Sequence, residues 1–547
     1  MDHYIKAETM YQPAVKKVRD YRQSTLEKVE PPLKGLPSTI PPNPQVLPAQ
    51  VLTERERELT EKYEALELVE LMSSKKVTCE EVTRAFLRRA ALAQEATNCL
   101  TELIWDEAIE RARYLDGLST PAGPLHGLPI SIKEANGLII PGGKNFTNSS
   151  YFLAWADLPS SPSGINSALW SAGAVFYART TGPQTIMHLE SNSVMWGRTL
   201  NPYNTDLTSG GSSGGEGALI GFRGSVLGIG SDIGGSIRGP AANCGIYGFK
   251  PTTDRLPLDG GRVPPGSYDV AATYGPMATS REALNMFMKV VLDSEPWKVT
   301  PSLIPKFWTP HHFEKPLKVA VLWDDGVVKP HPPITRALKE VADSCKKAGM
   351  EVVDWTPIEH DRAWDIISAL YFTDGGESYI KVLLEAGEPI LPLSDWITRK
   401  QPTCRQRSNQ EVWELKAQRD EYRAKYAAHW NATATDGSRE VDVILCPTAP
   451  GVAPQHETAK YWGYTSQWNL LDYPAVSFPV TTIDPAKDLP DSNYKPRNKQ
   501  DEYVRGLYTD PEVFRDAPVG LQVVGRRHFD EKVLAALELI EKAMGRA

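Results

Sequence analysis

From Ser209 to Ala241 the chain reads SGGSSGGEGALIGFRGSVLGIGSDIGGSIRGPA, and twelve of its 41 glycines fall in this one stretch beside six serines. Glycine loses more conformational freedom on folding than any other residue, so such a cluster needs a physical reason. Three compete. A Walker phosphate loop needs G-x-x-x-x-G-K-[ST], and the stretch contains no lysine. Gly228, Gly230 and Gly234 give G-x-G-x-x-x-G, one position longer than the dinucleotide fingerprint, with no clear acidic partner for a ribose after a following strand. Tight turns and close helix–sheet contact account for GGSSGG alone. They account less well for the second cluster, DIGGSIRGP, which starts at Asp232, well beyond Gly217. The third reason is nucleophilic catalysis: small residues before Ser236 let backbone N–H groups converge beside its hydroxyl, where they can stabilise an oxyanion.

The rest of the chain frames that stretch. Apolar segments 128-LPISI, 174-AVFYART, 317-LKVAVLW, 442-DVILC, 475-AVSFPVT and 520-GLQVVG read as strands. Helical patterns at 280–292, 333–348, 410–432 and 529–544 lie between them, and the alternation predicts an α/β fold with a sheet covered by helices on both faces. Thr78 opens T-C-E-E, a helix start with Glu81 three positions on, and Val82, Phe86 and Ala90 then share one face. Residues 1–53 read as a peripheral arm, a charged helical segment leading into PPLKGLPSTIPPNPQVLP, whose seven prolines cannot sustain a helix or a central strand. Nothing inside 54–547 reads as an interdomain linker, so that span is expected to be one large domain, with a polar loop or insertion near 484–515.

Composition narrows the partners. Sixty Lys and Arg against 68 Asp and Glu leave a net charge of −8, which argues against nucleic acid as the main partner. Six scattered cysteines, none in a C-x-x-C pair, fit neither a disulfide framework nor a zinc ribbon. The N-terminus has no apolar signal region, and no apolar run reaches the roughly 18 residues that cross a bilayer. A cytoplasmic protein with no integral membrane segment is expected, so sequons at Asn145, Asn148 and Asn431 read as chance matches.

Within the catalytic reading, Ser236 sits in G-G-S-I-R-G, which is not the G-x-S-x-G elbow of α/β-hydrolases. No histidine is an evident base: His126 in PLHGLP and His188 in PQTIMHLE read as structural. Lys133 ends the apolar segment 127-GLPISIK; such a lysine is usually a snorkelling surface residue, but buried beside hydroxyls it can be held neutral and act as a base.

At these residues the chain resembles the amidase signature family. GGSSGGEGA through DIGGSIRGPA fits that family's long pattern, GLPISIKE fits its lysine motif, and further similarity extends over about residues 55–545, most strongly to the fungal acetamidase type. The resemblance implies a single large α/β amidase-signature domain built on a twisted mixed β-sheet. It implies a Ser–cis-Ser–Lys triad, with Ser236 the nucleophile, Ser212 the bridging serine after a cis peptide bond, and Lys133 the base. It also implies an oxyanion hole from the amides of Ile233, Gly234, Gly235 and Ser236 beside Ser212, and support from Ser213, Asp232 and Arg238. Glu134 stands where Asp is common, and 136-NGLII departs from the family near the pocket mouth; both bear on the substrate. Ile186, Met187, Trp462, Tyr464 and Trp468 are candidates for the acyl pocket.

A free lysine has a pKa of about 10.4, so holding it neutral at pH 7 requires about 4.6 kcal/mol, a burden that burial among hydroxyls can supply. The implied activity is hydrolysis of linear carboxamides to a carboxylate and ammonia or an amine. No metal or cofactor is needed, the only partner implied is a small amide, and a homodimer stays open. The same acyl-serine could instead serve an acyltransferase or esterase. A subunit like the amidotransferase A chain, which needs partner chains, is a further alternative, and a nucleotide-binding enzyme a distant one.

Overall fold

The computed structural model describes residues 2–140, 151–262, 269–435 and 437–546; the sequons at Asn145 and Asn148 lie outside them. Eleven strands build the main sheet: β1 (Leu100–Leu103), β2 (Pro129–Lys133), β3 (Val175–Thr180), β4 (Leu227–Asp232), β5 (Tyr247–Lys250), β6 (Thr273–Ala278), β7 (Lys318–Val321), β8 (Glu351–Asp354), β9 (Val443–Pro447), β10 (Ala475–Thr482) and β11 (Pro518–Val524). Their order is β1-β3-β2-β4-β6-β5-β10-β11-β9-β7-β8. The sheet is mixed. β2 runs parallel to β3 and β4, while β4 and β6 are antiparallel.

Every residue of β2 and β3 is buried, which requires cover on both faces of the sheet. Helices α2 (Cys79–Thr97) and α3 (Gly214–Gly221) pack on β2 and β3, and helices over Pro332–Lys347 and Asp530–Ala543 pack on β10 and β11. Thr78 caps α2 by accepting the Glu81 N–H at 3.1 Å, and Val82, Phe86 and Ala90 are buried on that helix.

Five strands of the main sheet escaped the sequence reading, and β4 is the instructive one. It lies inside the glycine stretch, where low strand propensity hides it. Gly228 and Gly230 are buried in it, because a Cβ at Gly228 would sit 2.2 Å from Glu216 Oε2 and one at Gly230 would sit 2.8 Å from Met277 Sδ.

Segment 1–53 is less peripheral than expected. A helix, α1 (Asp2–Leu26), buries Val15 and Val18 against Met195 and Trp196, and Arg19 donates to the Val194 and Met195 carbonyls. Beyond it Val29, Leu47 and Leu52 join the main hydrophobic core. The prolines prevent regular structure, yet the apolar residues between them still find buried sites. The expected polar loop near 484–515 carries a helix of its own, Lys499–Gly506.

Candidate active site

β2 ends on Lys133, and the fully buried ammonium faces only hydroxyls: Nζ lies 2.7 Å from Ser212 Oγ, 2.9 Å from Ser213 Oγ and 2.9 Å from Ser231 Oγ. Ser212 and Ser213 come from the turn before α3, and Ser231 from β4, which is two strands from β3 across β2. Burial pulls the lysine down to about 7, against the opposing fields of Asp232 and Glu216. A neutral amine keeps two protons and one lone pair, so one of the three hydroxyls then has to donate to it. Ser213 Oγ is also within reach of the Ser231 carbonyl at 3.4 Å, which gives its proton another acceptor. That leaves Ser212 and Ser231 placed to donate to Nζ. The Gly211–Ser212 peptide bond is cis.

Ser236 lies on the turn after β4 and is 6% exposed. The Ser213 N–H donates to the Ser236 carbonyl at 3.1 Å, so the two serine loops are tied together. Ser212, Ser231, Ile233 and Ser236 share a cavity of about 310 Å³ whose further walls include Ile186, Met187, Leu258, Ala272 and Tyr274. Its lining is largely apolar. A larger groove of about 820 Å³, between Pro332–Lys347 and the 489–509 segment, contains none of these serines.

The backbone from Ile233 to Ser236 is oriented by its carbonyls. Tyr371 Oη donates to the Ile233 carbonyl at 2.8 Å, and Thr465 Oγ1 donates to the Gly234 carbonyl at 2.6 Å. Gly235 has φ +132°, and a Cβ there would meet Thr465 Oγ1 at 2.4 Å, so no other residue fits this close approach. The Gly235 N–H is given to Asp232 Oδ1 at 2.8 Å. The amides of Ile233, Gly234 and Ser236 reach no protein acceptor among the described residues.

Asp232 is the hub behind this turn. Its carboxylate also accepts from the Ile237 N–H at 3.1 Å, from Arg238 Nε at 3.1 Å and Nη2 at 3.0 Å, and from Asn469 Nδ2 at 2.9 Å. Burial alone would raise this carboxyl, but the Arg238 charge and these donors hold it well below the usual carboxylate range. Arg238, on the helix α4 (Arg238–Asn243), reaches on to Asn469 Oδ1 at 2.7 Å and Gln522 Oε1 at 3.2 Å.

The sequence candidates separate under this geometry. Lys133, Ser212, Ser213 and Ser236 converge, Asp232 and Arg238 brace the turn from behind, and Ile186 and Met187 line the cavity. Three aromatic candidates for the acyl pocket do not line it. They belong to or border the helix α5 (Gly463–Leu470), in which every residue is buried. The Trp462 ring packs on Gly234 and lies 6.1 Å from Tyr371, Tyr464 Oη donates to the Val328 carbonyl at 2.6 Å, and Trp468 stacks on Tyr473. Their bulk serves the far side of the turn. His126 Nδ1 accepts the Ala122 N–H at 3.1 Å, and burial takes His188 down to about 4.

Sequence reasoning missed Tyr371, Thr465, Asn469, Gln522 and Ser231. Thr465 and Asn469 lie in YWGYTSQWNLLDYP, where the aromatic residues drew attention from the small polar ones.

Residues 81–534 match the family model described as Amidase. A putative amidase of Schizosaccharomyces pombe is 46% identical over 518 residues, covering 93% of this chain and 95% of that protein. An acetamidase of Emericella nidulans is 38% identical over 510 residues, covering 90% and 91%. Among solved structures, a fatty acid amide hydrolase superposes with a TM-score of 0.91 at 36% identity, covering 98% of this chain and 96% of that one.

Proposed function

Because this chain belongs to the amidase family, and is a hydrolase acting on amides, we propose that it works through an acyl-serine formed on Ser236. The observation that carries this reading is Lys133, fully buried, in contact with three hydroxyls and drawn to about 7. In the neutral state Lys133 takes the proton of Ser212, which takes that of Ser236, and Ser236 Oγ attacks the amide carbonyl. The developing oxyanion is met by the amides of Ile233, Gly234 and Ser236, with Gly235 acting through the Asp232 contact that shapes the turn. The proton returns along the same hydroxyls to the leaving nitrogen. Water then enters, gives its proton to the relay and releases the carboxylate.

The cavity of about 310 Å³, walled by Ile186, Met187 and Leu258, favours apolar acyl groups of small to moderate size. Among the described residues no helix is long and apolar enough to cross a membrane, and the six cysteines are free. A cytoplasmic enzyme fits both facts.

A fluorophosphonate should label Ser236 and no other residue, and the purified chain should hydrolyse members of a panel of acetamide, benzamide, indole-3-acetamide and long-chain amides without a partner protein. Labelling at another residue reassigns the nucleophile. Turnover of Lys133→Ala within a few-fold of wild type rules out the relay.

A further inference from the structure

One buried carboxyl beside this site has no part in the relay. Glu216, in the first turn of α3, is fully buried, and each of its oxygens is met by a hydroxyl: Ser131 Oγ lies 2.6 Å from Oε2 and Thr180 Oγ1 lies 2.9 Å from Oε1. These two hydroxyls fix its place relative to Lys133. Ser131 stands two positions before Lys133 on β2, so both side chains share one face of the sheet. Thr180 on β3 is the register partner of Lys133 itself. Neighbouring strands lie about 4.8 Å apart, so the carboxyl is held against the same patch of sheet from which the lysine projects. Room for it is made on the third strand, where a Cβ at Gly228 would overlap Oε2 at 2.2 Å.

We infer that Glu216 is a positioning residue for Lys133: held by Ser131 and Thr180 beside the lysine stem, its carboxylate sets the pH at which that lysine gives up its proton. The inference rests on the proposed role of Lys133 as base. Both hydroxyls can donate to Glu216 when it is ionised, and either can accept from it when it is protonated, so the same contacts serve both charge states. Burial lifts Glu216 to about 7 against the two hydroxyls and Lys133, while Lys133 is drawn down to the same region, so the two groups exchange influence near neutrality. Other ionisable groups face this pair from each neighbouring element. Cys99 before β1 and Tyr177 on β3 are held neutral by burial, and Asp232 on β4 is balanced by Arg238. On the far side of Lys133, Glu134 is paired with Arg179 of β3, which also binds Glu102 of β1. Among the described residues Glu216 therefore stands apart as a carboxyl near Lys133 with no salt-bridge partner of its own.

The test is the pH dependence of kcat/KM on a neutral amide for wild type, Glu216→Gln and Thr180→Val. Glu216→Gln removes the charge that favours the ammonium, so the acid limb should move to lower pH by about half a unit or more. At the foot of the limb, activity relative to each enzyme's own plateau then rises about threefold. Thr180→Val keeps the shape but removes a donor to the carboxylate, which favours its neutral form, and should move the limb the same way. An acid limb left in place in either folded variant overturns the inference, whatever happens to the plateau, because a merely structural residue alters the plateau alone. Lys133→Ala, run alongside, separates the two levels of argument. If it retains the wild-type limb, that limb does not belong to Lys133 and the functional reading itself fails.

Discussion

Two buried cations stand at opposite ends of one short segment of chain, and they live in opposite surroundings. At the front, Lys133 meets only serine hydroxyls, those of Ser212 and Ser213 before α3 and that of Ser231 at the start of the 231–238 segment. At the back, Arg238 is fully buried against the Asp232 carboxylate, with Asn469 and Gln522 completing its hydrogen bonds. Burial is equal, and the partners decide the outcome. Hydroxyls stabilise an ammonium too weakly to offset its desolvation, so the lysine is poised to lose a proton. A carboxylate that also accepts from Gly235, Ile237 and Asn469 stays charged, and the Arg238–Asp232 pair becomes a fixed anchor for the turn. One end of the segment is arranged to change its protonation and the other to prevent any change.

The largest effect should come from removing the labile end. Lys133→Met is expected to lower kcat/KM by about a thousandfold or more, at the upper end of what a general base contributes, as read by steady-state assay. The same change should stabilise the fold. Lys133 titrates at about 7 when folded and about 10.4 when unfolded. Between these values the unfolded chain holds more protons, so stability rises with pH, and the full penalty stands below about pH 7. That penalty is on the order of 4 kcal/mol, but three serine hydroxyls lose a partner in the variant, which leaves a net gain of about 1–2 kcal/mol at neutral pH. Urea unfolding should show this gain shrinking as pH is raised from about 7 towards about 10; a gain that grows with pH contradicts the arrangement.

Removing the fixed end should do the reverse. Asp232→Asn leaves Arg238 buried without a counter-charge and is expected to cost about 3–5 kcal/mol of stability in denaturant titration. Activity falls with it, since the amide keeps a single acceptor oxygen for the Gly235, Ile237, Arg238 and Asn469 donors that set the turn.

A smaller effect is expected from the ties between these ends. Tyr371→Phe and Thr465→Val each free one carbonyl of the turn. Each should cost about 1 kcal/mol of stability. Each should also lower kcat more than it raises KM, because both carbonyls belong to the turn whose amides act on the transition state.

The smallest change should separate the cavity wall from the packing behind the turn. Met187→Ala enlarges the acyl space and should alter the preference between short and bulky acyl amides by about tenfold, the range open to a few methylenes. Trp468→Phe, behind the turn, should lower stability and leave that preference within about twofold. A preference that follows Trp468 instead would return it to the acyl pocket.

The serines and glycines of the site were legible in the sequence because their placement depends on backbone. Glycines at 210–217 and 234–235 leave room for close approach, and the serines among them stand out against so much glycine. Lys133 was legible as the charged end of an apolar strand. The supporting residues were not. Thr465, Asn469 and Gln522 lie 231 to 284 positions from the turn residues they contact, and they look like ordinary polar residues until the sheet brings them together. The three aromatic residues near α5 were misplaced for a related reason. A tryptophan's size states that it is buried, and says nothing of which side of a loop it fills.

Residue type and spacing were enough for the class of fold, through alternating strand and helix patterns, and for singling out the glycine-bound serines and the lysine that the sheet brings together. Both are local properties of the chain. Three outcomes came from folding alone: β4 runs through the glycine stretch, Val29, Leu47 and Leu52 enter the core, and Glu216 is held by Ser131 and Thr180 on the strands that carry and flank Lys133. They depend on which strands become neighbours and on how much water each charge loses, and neither quantity is a function of a residue's near neighbours in the chain.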